Sequence, residues 1–201
     1  MKPFQKAKSR LSAVLAPEQR EALAERFFRH TLAVLHDVKE IAGTVVISRD
    51  PGVLAIAREY RAYTVAESGQ PELNAALLRA SQVVGAQGAE GVLVLPADLP
   101  LLTTEDVRGM LHAGRYHQTV VIAPDRMHDG TNAMLIVPPG LVSFAYGVNS
   151  FQRHQDLAHA VGATVKVYES DTLALDVDVP ADLILLHRLQ TDGRAEAAAA
   201  K

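Results

Sequence analysis

Four consecutive apolar residues, Val92-Leu93-Val94-Leu95, run straight into Pro96-Ala97-Asp98-Leu99-Pro100, and this junction constrains the chain more than any other feature. A strand with one wet face alternates apolar and polar residues. One that is apolar throughout is expected to be buried on both faces, in a sheet covered by helices. The surrounding sequence agrees. Pro17 to Val38 reads as an amphipathic helix, with Leu23, Phe27, Phe28, Leu32, Val34 and Leu35 at helical spacing. A β-branched run over Thr44–Ser48 follows, and Asp50-Pro51 then opens a helix through Tyr60. The pattern continues with a strand at Tyr63–Val65, a helix from Leu73 to Val84, and a helix capped at Thr103-Thr104-Glu105-Asp106 that runs through His112. Strands at Thr119–Ile122 and Ala133–Val137, a helix after Ser150, a strand over Thr164–Tyr168 and a helix from Pro180 complete the chain. Such alternation predicts an α/β fold: a mainly parallel, Rossmann-like sheet with helices on both faces.

The 201 residues fit one domain, expected over 1–190, with a frayed, helix-prone tail at 191–201 that lacks an apolar stripe. A chain of this length buries roughly 70% of its unfolded surface and needs no staples. It has no cysteine, which excludes disulfides, thiolate metal sites and cysteine nucleophiles. The net charge of −3 gives no electrostatic footprint for nucleic acid. The basic start, Met1 to Arg10, has no apolar segment behind it, and no run of about 18 apolar residues exists. No nucleic acid and no membrane are expected as partners, and the expected location is the cytoplasm. Walker, Gly-x-Gly-x-x-Gly, His-Glu-x-x-His and nucleophile-elbow motifs are absent.

In open α/β sheets, ligands bind beyond the carboxyl ends of the strands, where Asp98 sits. A turn or cap is the ordinary duty of an Asp there. Here Thr103 or Thr104 already caps the next helix, and Pro96 and Pro100 hold the segment extended, an arrangement suited to a Mg²⁺ ligand. A second acidic run reads Leu175-Asp176-Val177-Asp178-Val179-Pro180-Ala181-Asp182. Asp176 and Asp178 would point to one side of an extended segment. Asp178 and Asp182 also have duties at a helix start, whereas Asp176 has none, so Asp176 is the first choice as partner of Asp98 and Asp178 the second. In Asp129-Gly130-Thr131-Asn132, small residues would let backbone N–H groups and the Thr131 hydroxyl approach an anion. Ser150, after Gly147-Val148-Asn149, is either an ordinary N-cap or part of an anion site at the helix start, with Gly147 allowing close approach. His154, one turn on, faces either the ligand or solvent. Lys2, Lys6, Lys8 and Arg10 form the main basic concentration.

Together these segments resemble the guanylyltransferases of coenzyme F-420 biosynthesis, which activate 2-phospho-L-lactate or phosphoenolpyruvate with GTP. The matching pieces are Lys2-Pro3-Phe4, Ala7-Lys8-Ser9-Arg10-Leu11, Pro96 to Leu101, Asp129 to Ala133, Tyr146-Gly147 with Ser150-Phe151 and His154, and Asp176 to Leu183, in family order from residue 2 to about 189. The resemblance implies a glycosyltransferase-A-like nucleotidyltransferase fold. It implies Asp98 and Asp176 as Mg²⁺ ligands and Thr131, Gly147 and Ser150 as the cradle for the phosphorylated acid. The Lys8 and Arg10 segment would contact the triphosphate. Lys2 belongs to the same basic segment and is carried with the substrate-binding residues, as is His154. Val179 stands where the family usually has Thr.

The implied reaction needs no side-chain base, because a phosphate monoester is already ionised near neutral pH. GTP and a phosphorylated small acid are the expected partners, with phosphoenolpyruvate preferred, and homodimerisation is left open. A related nucleotidyltransferase acting on another phosphorylated small acid or a sugar phosphate, and a non-catalytic nucleotide-binding module, are the alternatives. Asn74, between two mid-chain strands, is the candidate reader of guanine. The family begins with an apolar strand that runs into the Lys-Pro pair, and here Met1 stands directly before Lys2. That central strand is expected to be missing here: either the chain is numbered from a late start, or another segment or subunit fills the gap.

Overall fold

The computed structural model describes residues 1, 3–67 and 72–199, with the backbone alone from residue 192 onward. After two short 3-10 turns at Phe4–Lys6 and Ser9–Leu11, helix α1 spans Pro17–Asp37. A βαβ unit follows: β1 (Val45–Ser48), α2 (Pro51–Glu59) and β2 (Tyr63–Ala66). Asp50 caps α2 by accepting from the Gly52 N–H at 2.8 Å, with Pro51 in the first turn. Then come α3 (Leu73–Ala86), β3 (Val92–Val94), α4 (Thr104–Ala113), β4 (Thr119–Pro124) and β5 (Thr131–Val137). The chain ends with α5 (Ser150–Ala160), β6 (Thr164–Val167), the single-turn α6 (Asp171–Ala174) and α7 (Pro180–Ala199). The tail expected to fray is helical as far as Ala199, and residues 200 and 201 lie outside the described residues. Among the described residues, no helix is long and apolar enough to cross a membrane.

The strands form two sheets. β1 and β2 pair in parallel, and a second sheet has the order β3-β5-β4-β6. β4 and β6 are parallel, while β5 runs antiparallel to both β3 and β4, so three strands of this sheet share a direction and β5 opposes them. The centre of the sheet is the β4–β5 hairpin, and its residues divide between two cores by the alternation of a strand. Val121, Ala123, Ala133 and Leu135 pack with α1 and α4 residues such as Val34, Val107 and Met110. Val120, Ile122, Met134 and Ile136 pack against Phe144 and Ala158 on the other face. Helices therefore cover both faces. The apolar run at Val92–Val94 is only half-buried, contrary to its expected burial on both faces. The reason is its position: among the described residues, β3 is the edge strand of its sheet and pairs with β5 alone.

α3 packs against both β1 and β3, although no strand pairing joins the two sheets among the described residues. Met1 lies along β1. Its ammonium donates to the Ile47 carbonyl, and its own carbonyl accepts from Ser48 Oγ at 2.9 Å.

Two anchors bring the loops to one end of the sheets. Leu11, Leu175 and Val177 are buried with Phe27 and Leu186, which fixes the Ser9–Leu11 turn beside the segment leading into α7. Asp106 is the second anchor. It is 5% exposed, and its carboxylate accepts from the Thr103 N–H, Thr103 Oγ1, Ser170 Oγ and Thr172 Oγ1 at 2.5–2.9 Å. The sequence marked Asp106 only as part of a helix cap; the structure uses it to tie α4 to α6 as well. Asp106→Asn would set an amide N–H against donors, and bonds to a charged acceptor are worth about 1.5–3 kcal/mol each. We expect Asp106→Asn to lose roughly 3 kcal/mol of stability in a denaturant titration; a loss under about 0.5 kcal/mol would contradict this role.

Candidate active site

Asp98 leaves β3 in a non-helical segment whose next residue, Leu99, is wholly buried. Burying Leu99 fixes the loop, and the half-exposed carboxylate of Asp98 points away from the core. Leu175 and Val177 likewise turn inward, so Asp176 and Asp178 turn outward together, as an extended segment requires. Lys8 meets them from the N-terminal turns. Its ammonium lies 2.6 Å from Asp98 Oδ2 and 3.2 Å from Asp178 Oδ1, and its side chain is 5% exposed. Lys8 adopts a left-handed backbone (φ 54°), which costs a non-glycine residue about 1–2 kcal/mol. Arg10 Nη1 stands 3.9 Å from Asp178 Oδ2. The pKa of Asp176 is raised by burial first, then by the negative charges of Asp98 and Asp178.

The fold thus gathers Lys8, Arg10, Asp98, Asp176 and Asp178 into one site from three distant stretches of sequence. Asp178 spends its carboxylate on Lys8 and Arg10. The helix-start duty falls to Asp182, which accepts from the Asp178 and Val179 N–H groups at 3.0 and 2.8 Å and is held by Arg126 at 3.0 Å. That bond pattern explains how Val179 is accommodated without a capping hydroxyl. Lys2 lies outside the described residues.

The second half of the site is built around Thr131 and Ser150. Of the two readings of Ser150, the structure excludes the ordinary N-cap: Asn149 occupies that position, in a left-handed conformation, and Ser150 is the first residue of α5. The Ser150 hydroxyl instead accepts from the Thr131 N–H at 3.0 Å. The expected row of free amides in the Asp129–Thr131 loop is also absent. Asp125 accepts from the N–H groups of Met127, Asp129 and Gly130 at 2.9–3.0 Å, so these donors are taken. A Cβ at Gly130 would stand 2.7 Å from Asp125 Oδ2, which explains the glycine. At α5, Phe151 N–H donates to the Asp129 carbonyl and Ser150 N–H to that of Gly147. The N–H groups of Gly147 and Val148 have no acceptor among the described residues. Gly147, at φ +130°, holds a backbone that side chains rarely adopt.

His154 does not face solvent: it is wholly buried. Its Nδ1 lies 2.9 Å from Thr131 Oγ1, its Nε2 accepts from the Ala145 N–H at 2.9 Å, and the Tyr146 ring packs edge-on at 4.8 Å between centroids. Asn74 is engaged with backbone. Its Oδ1 accepts from Tyr146 N–H at 2.8 Å and its Nδ2 donates to Tyr146 O at 3.3 Å, tying α3 to the Gly147 loop.

Three residues of this region carried no role in the sequence reading. Asn132, buried in an apolar strand, donates to Leu173 O at 2.9 Å and to Asp176 Oδ1 at 3.5 Å, so it aims the segment that carries Asp176. A polar residue interrupting a buried strand was its signal. Asp125 could have been found as an Asp opening a loop with Gly130 near its end. Arg153 had none; its Nη1 lies 3.8 Å from where a Gly147 Cβ would stand, and it has no ion-pair partner among the described residues.

Burial, reinforced by the charge of Arg153, lowers the pKa of His154 from its ordinary 6.5 to about 4. The unfolded chain therefore binds the proton first, and the stability from the neutral ring is complete above about pH 6.5 and lost as pH falls toward 4. A shift of this size is worth on the order of 3 kcal/mol. Asp176 acts with the opposite sign, so the contrast between the parent and His154→Gln isolates the ring. Melting temperatures from pH 7 to 4.5 should fall more steeply for the parent than for His154→Gln; parallel curves would contradict the assignment.

A family model described as "Guanylyl transferase CofC like" matches residues 1–195. A Conexibacter woesei protein named phosphoenolpyruvate guanylyltransferase is 37% identical, the match covering 98% of this chain and 89% of that one. A Rubrobacter xylanophilus protein of the same name is 38% identical over 96% and 92% of the two chains. The 2-phospho-L-lactate guanylyltransferase of Methanothermobacter thermautotrophicus is 36% identical over 95% and 84%. Among solved structures, a Desulfovibrio desulfuricans protein described as a nucleotide-diphospho-sugar transferase superposes with a TM-score of 0.75 at 18% identity, covering 94% of this chain and 84% of its own. The 4-diphosphocytidyl-2C-methyl-D-erythritol synthase of Anaerococcus prevotii gives 0.60 at 14% identity, over 82% and 89%. These structural likenesses establish a nucleotidyltransferase fold. With a match across nearly its whole length, the chain belongs to the CofC-like guanylyl transferase family.

Proposed function

We propose that this protein transfers GMP from GTP to phosphoenolpyruvate, releasing pyrophosphate, as a step of coenzyme F-420 biosynthesis. The observation that carries the reading is a charged cluster: Lys8 pairs with Asp98 and Asp178, Arg10 stands at Asp178, and Asp176 feels the charges of both carboxylates, with Asn132, the neighbour of Thr131, reaching Asp176. Membership in the family supports GTP as donor. The relatives' names include both phosphoenolpyruvate and 2-phospho-L-lactate at similar identity. A planar methylene against a methyl is worth about 1–3 kcal/mol in a pocket.

In this reaction a phosphate oxygen of the acid attacks the α-phosphorus of GTP. The bond from that phosphorus to the oxygen bridging the β-phosphate breaks, and pyrophosphate leaves with the electron pair. The attacking phosphate is ionised at neutral pH, so no proton need be removed. Thr131 and Ser150 hold the acid, helped by the free N–H groups of Gly147 and Val148. Lys8 and Arg10 bind the triphosphate and offset its charge.

Among the described residues, no group of three or more His, Asp or Glu side chains is arranged to hold a metal ion alone. Mg²⁺ does not need one, since one or two carboxylates plus substrate phosphates are its usual set. Burial first, and then the charges of Asp98 and Asp178, raise the pKa of Asp176, and a bound cation would favour its ionised form. We assign Asp98 and Asp176 as the ligands, with Asp178 beside them. Bound there, Mg²⁺ supplies neutralisation of the charge that develops at the α-phosphate and on pyrophosphate.

Pyrophosphate release with GTP and a panel of phosphoenolpyruvate, phospholactate and both phosphoglycerates tests the assignment; no release with any acceptor would overturn it. Asp98→Asn and Asp176→Asn should each cut turnover by about a hundredfold or more while the protein stays folded, whereas near-normal Mg²⁺-dependent turnover in either would refute the ligand assignment. Thr131→Val and Ser150→Ala should raise KM for the acid more than KM for GTP, by about tenfold for a bond to a charged group. Equal losses for both substrates would assign these hydroxyls to folding.

A further inference from the structure

We propose that His154 is a positioning residue that turns the Thr131 hydroxyl into an obligate hydrogen-bond donor toward the phosphorylated acid. The inference rests on the acid-cradle reading above and extends it to a wholly buried residue behind the Thr131 hydroxyl. The argument is one of donor and acceptor inventory. The Ala145 backbone N–H can only donate, and it lies 2.9 Å from His154 Nε2. That nitrogen must therefore carry a lone pair, and the neutral ring keeps its proton on Nδ1. Nδ1–H then donates to Thr131 Oγ1, 2.9 Å away. A hydroxyl that accepts this bond must send its own proton elsewhere, and Thr131 Oγ1 makes no other hydrogen bond among the described residues.

The relay is held rigidly. His154 is wholly buried, Thr131 is 6% exposed, and the Tyr146 ring closes over the imidazole. The Thr131 N–H is fixed by Ser150 Oγ, so neither end of the threonine is free to turn. The Ala145 amide that sets the tautomer lies two residues before Gly147, in the segment Asn74 ties to α3. The acid's two halves of the cradle are thereby coupled through one ring. An anion needs donors that are already aimed, because aiming them on binding costs affinity.

Two substitutions separate the ring's two bonds. Gln at 154 can still accept from Ala145 N–H but offers no donor at the Nδ1 position; Asn offers that donor and loses the other contact. His154→Gln should raise KM for phosphoenolpyruvate about tenfold, leaving KM for GTP within about twofold, and His154→Asn should recover most of the loss. In a Thr131→Val background, His154→Gln should have no further effect on the acid's KM. If Thr131→Val leaves the acid's KM unchanged, the cradle reading fails. If Thr131→Val raises it and His154→Gln does not, or if the two effects simply add, the positioning role fails. Nitrogen NMR of the unmodified enzyme needs no variant to fold. A protonated Nδ1 with a bare Nε2 is expected, and the opposite tautomer would overturn the proposal.

Discussion

Three carboxylates held in one small volume repel one another, and the chain's answer to that repulsion organises everything around the site. Lys8 stands between Asp98 and Asp178 with its side chain almost wholly removed from solvent. Placing an ammonium there requires a left-handed lysine, a turn anchored by wholly buried Leu11, and the shared core of Leu11, Leu175 and Val177. The residual imbalance appears as the raised pKa of Asp176, the carboxylate with burial and two negative neighbours against it. A site so charged is poised for a polyanion and a cation together, and less suited to a neutral ligand.

The supports of the site are polar and redundant. Asp106 joins α4 to α6, Asn132 joins β5 to the segment carrying Asp176, and Asp182 holds the backbone of Asp178 and Val179. Each is a buried or nearly buried group whose partners are all local to the site's edge. Buried polar groups must be satisfied, and here their satisfaction fixes the loops that a hydrophobic core alone would leave adjustable. Loops carry function best when a rigid scaffold aims them. The aim here comes from side-chain acceptors on helix starts and strand ends.

Much of this was legible in the sequence because local rules govern it. The capped starts at Asp50-Pro51 and Thr103 to Asp106, the alternation of Leu175 to Asp178 and the apolar faces of β4 and β5 follow directly from spacing and residue type. Asp98 could be read as oddly placed for a cap, and Asp176 and Asp178 as sharing a side. Tertiary partners were not legible. Whether Val92–Val94 is central or at an edge depends on which strands pair with it. Whether Ser150 caps its helix depends on where the Thr131 amide lies. His154 sits at a helical position that fits a ligand-facing or a solvent-facing ring equally well; tertiary packing buries it, and the amide of Ala145 decides which nitrogen bears the proton. The bond of Asn74 to backbone 72 residues away likewise has no signal in its own stretch of sequence.

The central claim is that the site joins two phosphates, with the α-phosphorus of GTP as the centre attacked. Phosphorus NMR of the enzyme with GTP, phosphoenolpyruvate and Mg²⁺ reads this directly. The account predicts the loss of both substrates, equal growth of pyrophosphate, and a new pair of coupled resonances from an unsymmetrical diphosphate. Formation of GDP and inorganic phosphate, or of GMP with a pyrophosphorylated acid, would place the attack at a different phosphorus and contradict it.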